Sequence, residues 1–134
     1  MQKIIDGLLF DTEKADLICQ FIHKDNYDDT SLAENRILKK LGWFDAYDRW
    51  NLKLCFVFRT QKGKFFVVGY FEGNEDTLSL SANKQFDSLI GELTERKDFL
   101  EIKWSQLTDE QARKLCEGHL SVSEYMKRFS VEEA

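Results

Sequence analysis

Apolar and polar positions alternate most regularly over residues 52–71. Leu52, Leu54, Phe56 and Phe58 share one face of an outgoing strand, and Lys53, Cys55, Val57 and Arg59 share the other. The return strand, 65–71, is apolar on both faces. That pattern predicts a central strand with a helix over one side and partial cover on the other. Lys62-Gly63 supplies the turn between them. A smaller hairpin is expected at the N-terminus, where Asp6-Gly7 separates Lys3-Ile4-Ile5 from Leu8-Leu9-Phe10 and offers the positive φ angles of a two-residue turn.

Helical spacing follows. Asp11 and Thr12 read as caps, Glu13 as a first-turn acid, and Ala15, Ile18, Cys19 and Ile22 recur at i, i+3, i+4 and i+7. A second helix is expected from about Leu32 to Leu41, with Ala33, Ile37, Leu41 and Phe44 on its apolar face and Gly42 as its stop. Leu78 to Ser81 reads as a short strand. Phe86, Leu89, Ile90 and Leu93 show helical spacing that Gly91 weakens by about 1 kcal/mol relative to alanine. Leu100, Ile102 and Trp104 alternate with Glu101, Lys103 and Ser105 as in a half-buried strand. Thr108 with Gln111, and Ser121 with Glu124, form two capping boxes. Ala112, Leu115 and Cys116 face inward from the first of these helices, which Gly118 ends, and Val122, Tyr125, Met126 and Phe129 from the second. The expected fold is α+β: a central antiparallel sheet built on the long hairpin, with about five flanking helices, in a single domain spanning 1–134.

Composition narrows the class. The chain has 134 residues, enough for one domain with its own core. No apolar run approaches the ~20 residues of a membrane-spanning helix, and Asp6 and Gly7 interrupt any leader-like segment. The three cysteines, Cys19, Cys55 and Cys116, are widely spaced and sit in apolar patterns, as reduced core residues of a cytoplasmic protein do. Charge is uneven. Residues 1–67 hold 11 Lys and Arg against 10 Asp and Glu, whereas residues 68–134 hold 8 against 14, for an overall charge of −5. An acidic half argues against nonspecific nucleic-acid binding, which needs a basic footprint, and favours a basic protein partner or simple solubility.

Candidate chemistry is sparse. Cys19 and His23, and Cys116 and His119, form two pairs at helical spacing that suit a tetrahedral zinc site only if the two helices meet; neither has the tight CxxC spacing of a zinc motif, and the plainer reading is buried thiols with helix-end histidines. No metal or cofactor is expected. A cysteine nucleophile needs a nearby base and an orienting group, and spacing alone supplies neither. No GxSxG, phosphate-binding or dinucleotide fingerprint is present. Two acidic stretches, Asp25/Asp28/Asp29 and Glu72/Glu75/Asp76, lack the calcium-loop pattern. They read either as solvated loops or as a surface for an Arg/Lys-rich partner. Of the aromatic cluster Trp43/Phe44/Tyr47/Trp50, Phe44 and Trp50 read as core, while Trp43 and Tyr47 are open to a role as interface anchors.

Three separated blocks carry a resemblance. Ile5-Asp6-Gly7-Leu8-Leu9-Phe10-Asp11-Thr12-Glu13-Lys14-Ala15, Arg59-Thr60-Gln61-Lys62-Gly63-Lys64-Phe65-Phe66 and Leu107-Thr108-Asp109-Glu110-Gln111-Ala112 together resemble small accessory proteins of phages and mobile elements of Gram-positive bacteria. The likeness covers about half the chain. Residues at about 24–48 and 76–98 stand as insertions relative to that pattern. Some proteins of this type inhibit CRISPR nucleases. Others have no known role. The resemblance therefore implies a mobile-element accessory protein, and the leading hypothesis is an anti-CRISPR inhibitor, not an enzyme, that binds a nuclease or its guide-RNA complex in the host cytoplasm. Its shared motifs are turns and caps, so no functional residue carries over. The contact residues expected here are Asp25, Asp28, Asp29, Trp43, Tyr47, Glu72, Glu75 and Asp76. An immunity protein neutralising a toxin needs the same physics and stands as the alternative. A small enzyme using Cys19 or Cys116 is the third class.

Overall fold

The Asp6-Gly7 pair turns the chain back on itself as its composition requires. In the computed structural model, which describes residues 1–24, 32–43, 52–72 and 101–131, Asp6 and Gly7 have φ of 50° and 78°. Both lie in the left-handed region that a two-residue hairpin turn of matching twist demands. Strands β1 (Gln2–Ile5) and β2 (Leu8–Asp11) pair antiparallel across it, with Ile5 opposite Leu8.

The second sheet has four antiparallel strands: β3 (Asp16–Lys24), β4 (Leu52–Arg59), β5 (Phe65–Glu72) and β6 (Glu101–Leu107), in the order β3-β4-β5-β6. The β4–β5 hairpin forms as read from its alternation, and β5 lies centrally. Its turn closes through Thr60. The Thr60 N–H donates to the Lys64 carbonyl at 2.8 Å, and the Thr60 Oγ1 accepts from the Lys64 N–H at 3.0 Å. Gly63, at φ 84°, supplies the residue that a side chain would strain.

β3 corrects the expectation of a first helix. Register runs Leu17 opposite Phe58, then Cys19 opposite Val57, with a bulge between them. The extra residue, Ile18, places Ile18 and Cys19 together in the core under the helices, while Leu17 and Ile22 pack on the opposite side of the sheet. A bulge breaks the period of two. Here it shifts apolar positions into a spacing that imitates one helical face. The expected caps serve a turn instead. Asp11 Oδ1 accepts from the Glu13 N–H at 2.9 Å, and Thr12 Oγ1 donates to the Met1 carbonyl at 3.2 Å.

Three helices occur among the described residues: α1 (Leu32–Lys40), α2 (Asp109–Glu117) and α3 (Val122–Arg128). The strand and helix expected at 78–93 lie outside those residues. α1 ends at Gly42, φ 78°, where the Gly42 N–H donates to the Lys39 carbonyl and the Trp43 N–H to the Leu38 carbonyl, each at 3.0 Å. This 6→1 and 5→2 pair is a Schellman stop. α2 begins with the reciprocal Thr108–Gln111 capping box and buries Ala112, Leu115 and Cys116, as its spacing implied. Ser121 caps α3 by accepting from the Glu124 N–H.

The four-stranded sheet separates two cores. Ile18, Cys19, Phe21, Cys55, Val57, Phe65 and Val67 meet Leu38, Trp43, Leu115, Cys116 and Phe129 from the helical side. Leu54, Phe56, Phe58, Phe66, Val68 and Tyr70 meet Phe10 of the small hairpin on the other. Fully burying a side chain of this kind is worth ~1.5–3 kcal/mol, so the apolar return strand is what holds the layers together. Two helix faces depart from expectation. On α1 the buried positions are Glu34 and Leu38, while Ala33 is exposed. On α3 only Phe129, just beyond the helix, is fully inside, stacked on Phe65 with centroids 5.7 Å apart. Val122 and Met126 are exposed because the short helix is pinned by Phe129, Tyr125 and the Arg113 guanidinium rather than by its whole face. Among the described residues no helix is long and apolar enough to cross a membrane.

Candidate functional site

Alternation along β3 points Cys19, Phe21 and His23 toward the helical layer. The first turn of α1 brings Glu34 over the end of that strand. α2 ends at Gly118, and His119 follows it, its N–H donating to the Cys116 carbonyl at 3.0 Å. These three placements converge on one carboxylate. His23 Nδ1 donates to Glu34 Oε2, and His119 Nε2 donates to Glu34 Oε1 at 2.5 Å. A carboxylate only accepts, so each ring carries its proton on the nitrogen that faces Glu34. The His119 ring also lies on Phe21, centroids 4.1 Å apart and planes 2° from parallel.

The cluster grades from closed to open. The side chains of His23, Glu34 and His119 are 1%, 11% and 29% exposed. Burial alone would push the Glu34 carboxyl up. The hydrogen bonds from His119 and His23, with the charge on those rings, outweigh it and hold the group below its ordinary value. Glu34 is therefore an ionised carboxylate whose two charge-assisted bonds contribute ~1.5–3 kcal/mol each. His119 opens onto a cavity of about 500 Å³ bounded by Ala33 and Glu34 of α1 and by Lys114, Leu115, Glu117 and Gly118 around the end of α2.

The two Cys–His pairs of the sequence do come together, in a different combination. Cys19 and His23 lie on a strand, and four residues of strand separate them by ~13 Å. The thiols of Cys19 and Cys116 hydrogen-bond to each other instead. That bond, burial, and the nearby Cys116, Cys55 and Glu34 raise the Cys19 thiol far above the ordinary thiol range. All three cysteines are free and buried. The Cys19 thiol therefore yields almost no thiolate. Among the described residues no group of three or more His, Cys, Asp or Glu is arranged to hold a metal ion. His23 Nδ1 and His119 Nε2 are each engaged by an oxygen of Glu34.

Of the expected contact residues, Asp25, Asp28, Asp29, Tyr47, Glu75 and Asp76 lie outside the described residues, as do Phe44 and Trp50. Glu72 closes β5, paired with Leu52 of β4. Trp43 is corrected: it is 2% exposed, and its indole Nε1 donates to Ser105 Oγ of β6 at 3.0 Å. It is a core residue locking the end of α1 to the sheet, with no face left for a partner. The site residue that sequence reasoning missed is Glu34. Its only signal is an acid four positions before Leu38 on the same helix, in a chain with 2 histidines to satisfy.

Comparison with protein-family models, with curated proteins and with solved structures identifies no match to this chain.

Proposed function

We infer that the chain acts by binding rather than by catalysis, as an inhibitor of a defence nuclease of the anti-CRISPR type. The observation that carries this reading is how the reactive groups are engaged. Each oxygen of Glu34 accepts from an imidazole, and Cys19 and Cys116 are hydrogen-bonded to each other in the core. A nucleophile needs a thiolate to attack with, and the Cys19 thiol, buried and hydrogen-bonded to Cys116, is held in its protonated form. The cysteine-dependent enzyme is the reading this arrangement disfavours most.

The nuclease as partner comes from the likeness of the three sequence blocks to phage and mobile-element proteins. Its physical basis is the acidic second half, including Glu72, Glu75 and Asp76, with Asp25, Asp28, Asp29 and Tyr47 as further contact residues. Acidic side chains speed encounter with a basic surface and set its register. The action takes place in the cytoplasm of a bacterial host. The test is capture of purified CRISPR effector and guide complexes on the immobilised protein at low and moderate salt, with target cleavage measured in parallel. Stoichiometric capture with loss of cleavage supports the reading. Failure to retain any effector at either salt, with cleavage unaffected, overturns it.

A further inference from the structure

We propose that the His23–Glu34–His119 cluster is an acid-released latch on α1: protonation of Glu34 undoes the polar tie that holds this helix, and α1 lifts while the sheet stays folded. The geometry places the tie on one helix alone. Glu34 is the only member on α1. Its two oxygens reach two different elements, His23 on β3 and His119 beyond α2. Among the described residues the remaining anchors of α1 are Leu38 and Trp43, with Ile37 and Leu41 partly buried and the Trp43 indole donating to Ser105 Oγ, and none of these groups is an acid or a base.

Acid acts on this cluster in one direction. Once Glu34 is neutral, the charge that strengthens both bonds is gone, at a place where His23 and Glu34 are shielded from water. The neutral carboxyl also carries a proton of its own between two rings that are both donors. Among the described residues the titratable groups facing Glu34 are His23 and Cys19 from β3 and His119 from the turn after α2. Lys114 and Glu117 line the same cavity and pair with each other at 3.6 Å.

The β4–β5 core has no comparable weakness. Its buried residues from Leu54 to Phe58 and from Phe65 to Val68 are apolar or a thiol, and Tyr70 titrates only in strong alkali, since burial pushes its hydroxyl up. The other acids with described partners, Asp11, Asp109, Glu117 and Glu124, serve the first turn, α2 and α3. Release of α1 would open the cavity and bare the buried pair Cys19 and Cys116.

Hydrogen exchange read by mass spectrometry on the full chain tests the latch, with rates corrected by the unfolded protein at each pH. Between about pH 6.5 and about pH 2.5, protection of residues 32–40 should fall at least about tenfold while residues 52–72 stay protected. Glu34→Gln should flatten that response, and His119→Asn, at the more exposed end of the cluster, should flatten it in part; it also serves if Glu34→Gln does not fold. The latch is overturned if residues 32–40 keep their protection in acid, if both segments lose protection together, or if the folded variant repeats the wild-type profile.

Discussion

The His119 ring lies flat on Phe21, centroids 4.1 Å apart, although 98 positions separate them in the chain. The stack joins the edge strand β3 to the turn after α2 and fixes the ring in the orientation from which Nε2 meets Glu34. Phe21→Ala removes both the stack and a buried ring, and should cost ~3–5 kcal/mol in urea unfolding. Phe21→Leu keeps most of the volume and should cost less than about 1.5 kcal/mol. Equal losses for the two would mean that filling the space is not what Phe21 does.

Glu34 makes stability depend on pH with a definite sign. Its carboxyl is held below the ordinary value of 4.5 in the folded chain. Its contribution is therefore complete above pH 4.5 and is lost as pH falls toward the folded-state value. Glu34→Gln keeps the shape but leaves one imidazole without its acceptor, and should cost about 1–3 kcal/mol near neutrality. The gap between wild type and variant, read from urea midpoints along a pH series, should close in acid. A gap that widens in acid would reverse the assignment.

Thr108 anchors α2 from both directions, accepting from the Gln111 N–H at 3.1 Å and donating its own N–H to the Gln111 side chain at 2.9 Å. Thr108→Ala should cost ~1 kcal/mol. Ser121→Ala removes the corresponding acceptor of the seven-residue α3 and should cost less, because Phe129 holds that helix independently. Thermal unfolding of the two variants side by side gives the order.

Gly63 sits at φ 84° with open space where a Cβ would be. Any cost of Gly63→Ala is therefore backbone strain alone, ~1–2 kcal/mol. Gly118, with φ −80° at the end of α2 and open space around it, should accept alanine at little or no cost. A Gly63→Ala protein as stable as wild type would show that the turn relaxes.

Cys19 and Cys116 should resist alkylation in the native state and react fully once unfolded, since both are buried and Cys19 is held as a thiol. Thiol titration at mildly alkaline pH, with and without denaturant, reads this directly. Rapid labelling of either residue in the folded chain would return the cysteine-dependent enzyme to contention.

Features that depend on neighbours in the chain were legible before the fold was known. Asp6-Gly7 and Lys62-Gly63 marked their turns because few residues accept positive φ. Thr108 with Gln111, Ser121 and Gly42 marked helix ends because unsatisfied backbone groups there need specific partners. The two-sided apolar run of β5 announced a central strand. The reading failed at residues 16–24, where local spacing was ambiguous. A one-residue bulge at Ile18 gave a strand the apolar spacing of a helix, and only pairing with β4 resolves which one forms.

The sequence by itself determined the long hairpin, the helix caps and the α+β class, since turn chemistry and side-chain period act within a few residues. Tertiary structure alone decided the inward turn of Trp43, the meeting of Cys19 with Cys116, and the burial of Glu34 between two histidines from opposite ends of the chain. A buried carboxylate is tolerable only when donors are brought to it, and those donors lie 11 and 85 positions away. No local pattern encodes contacts at that range; they exist once the sheet has set β3 beneath α1 and α2.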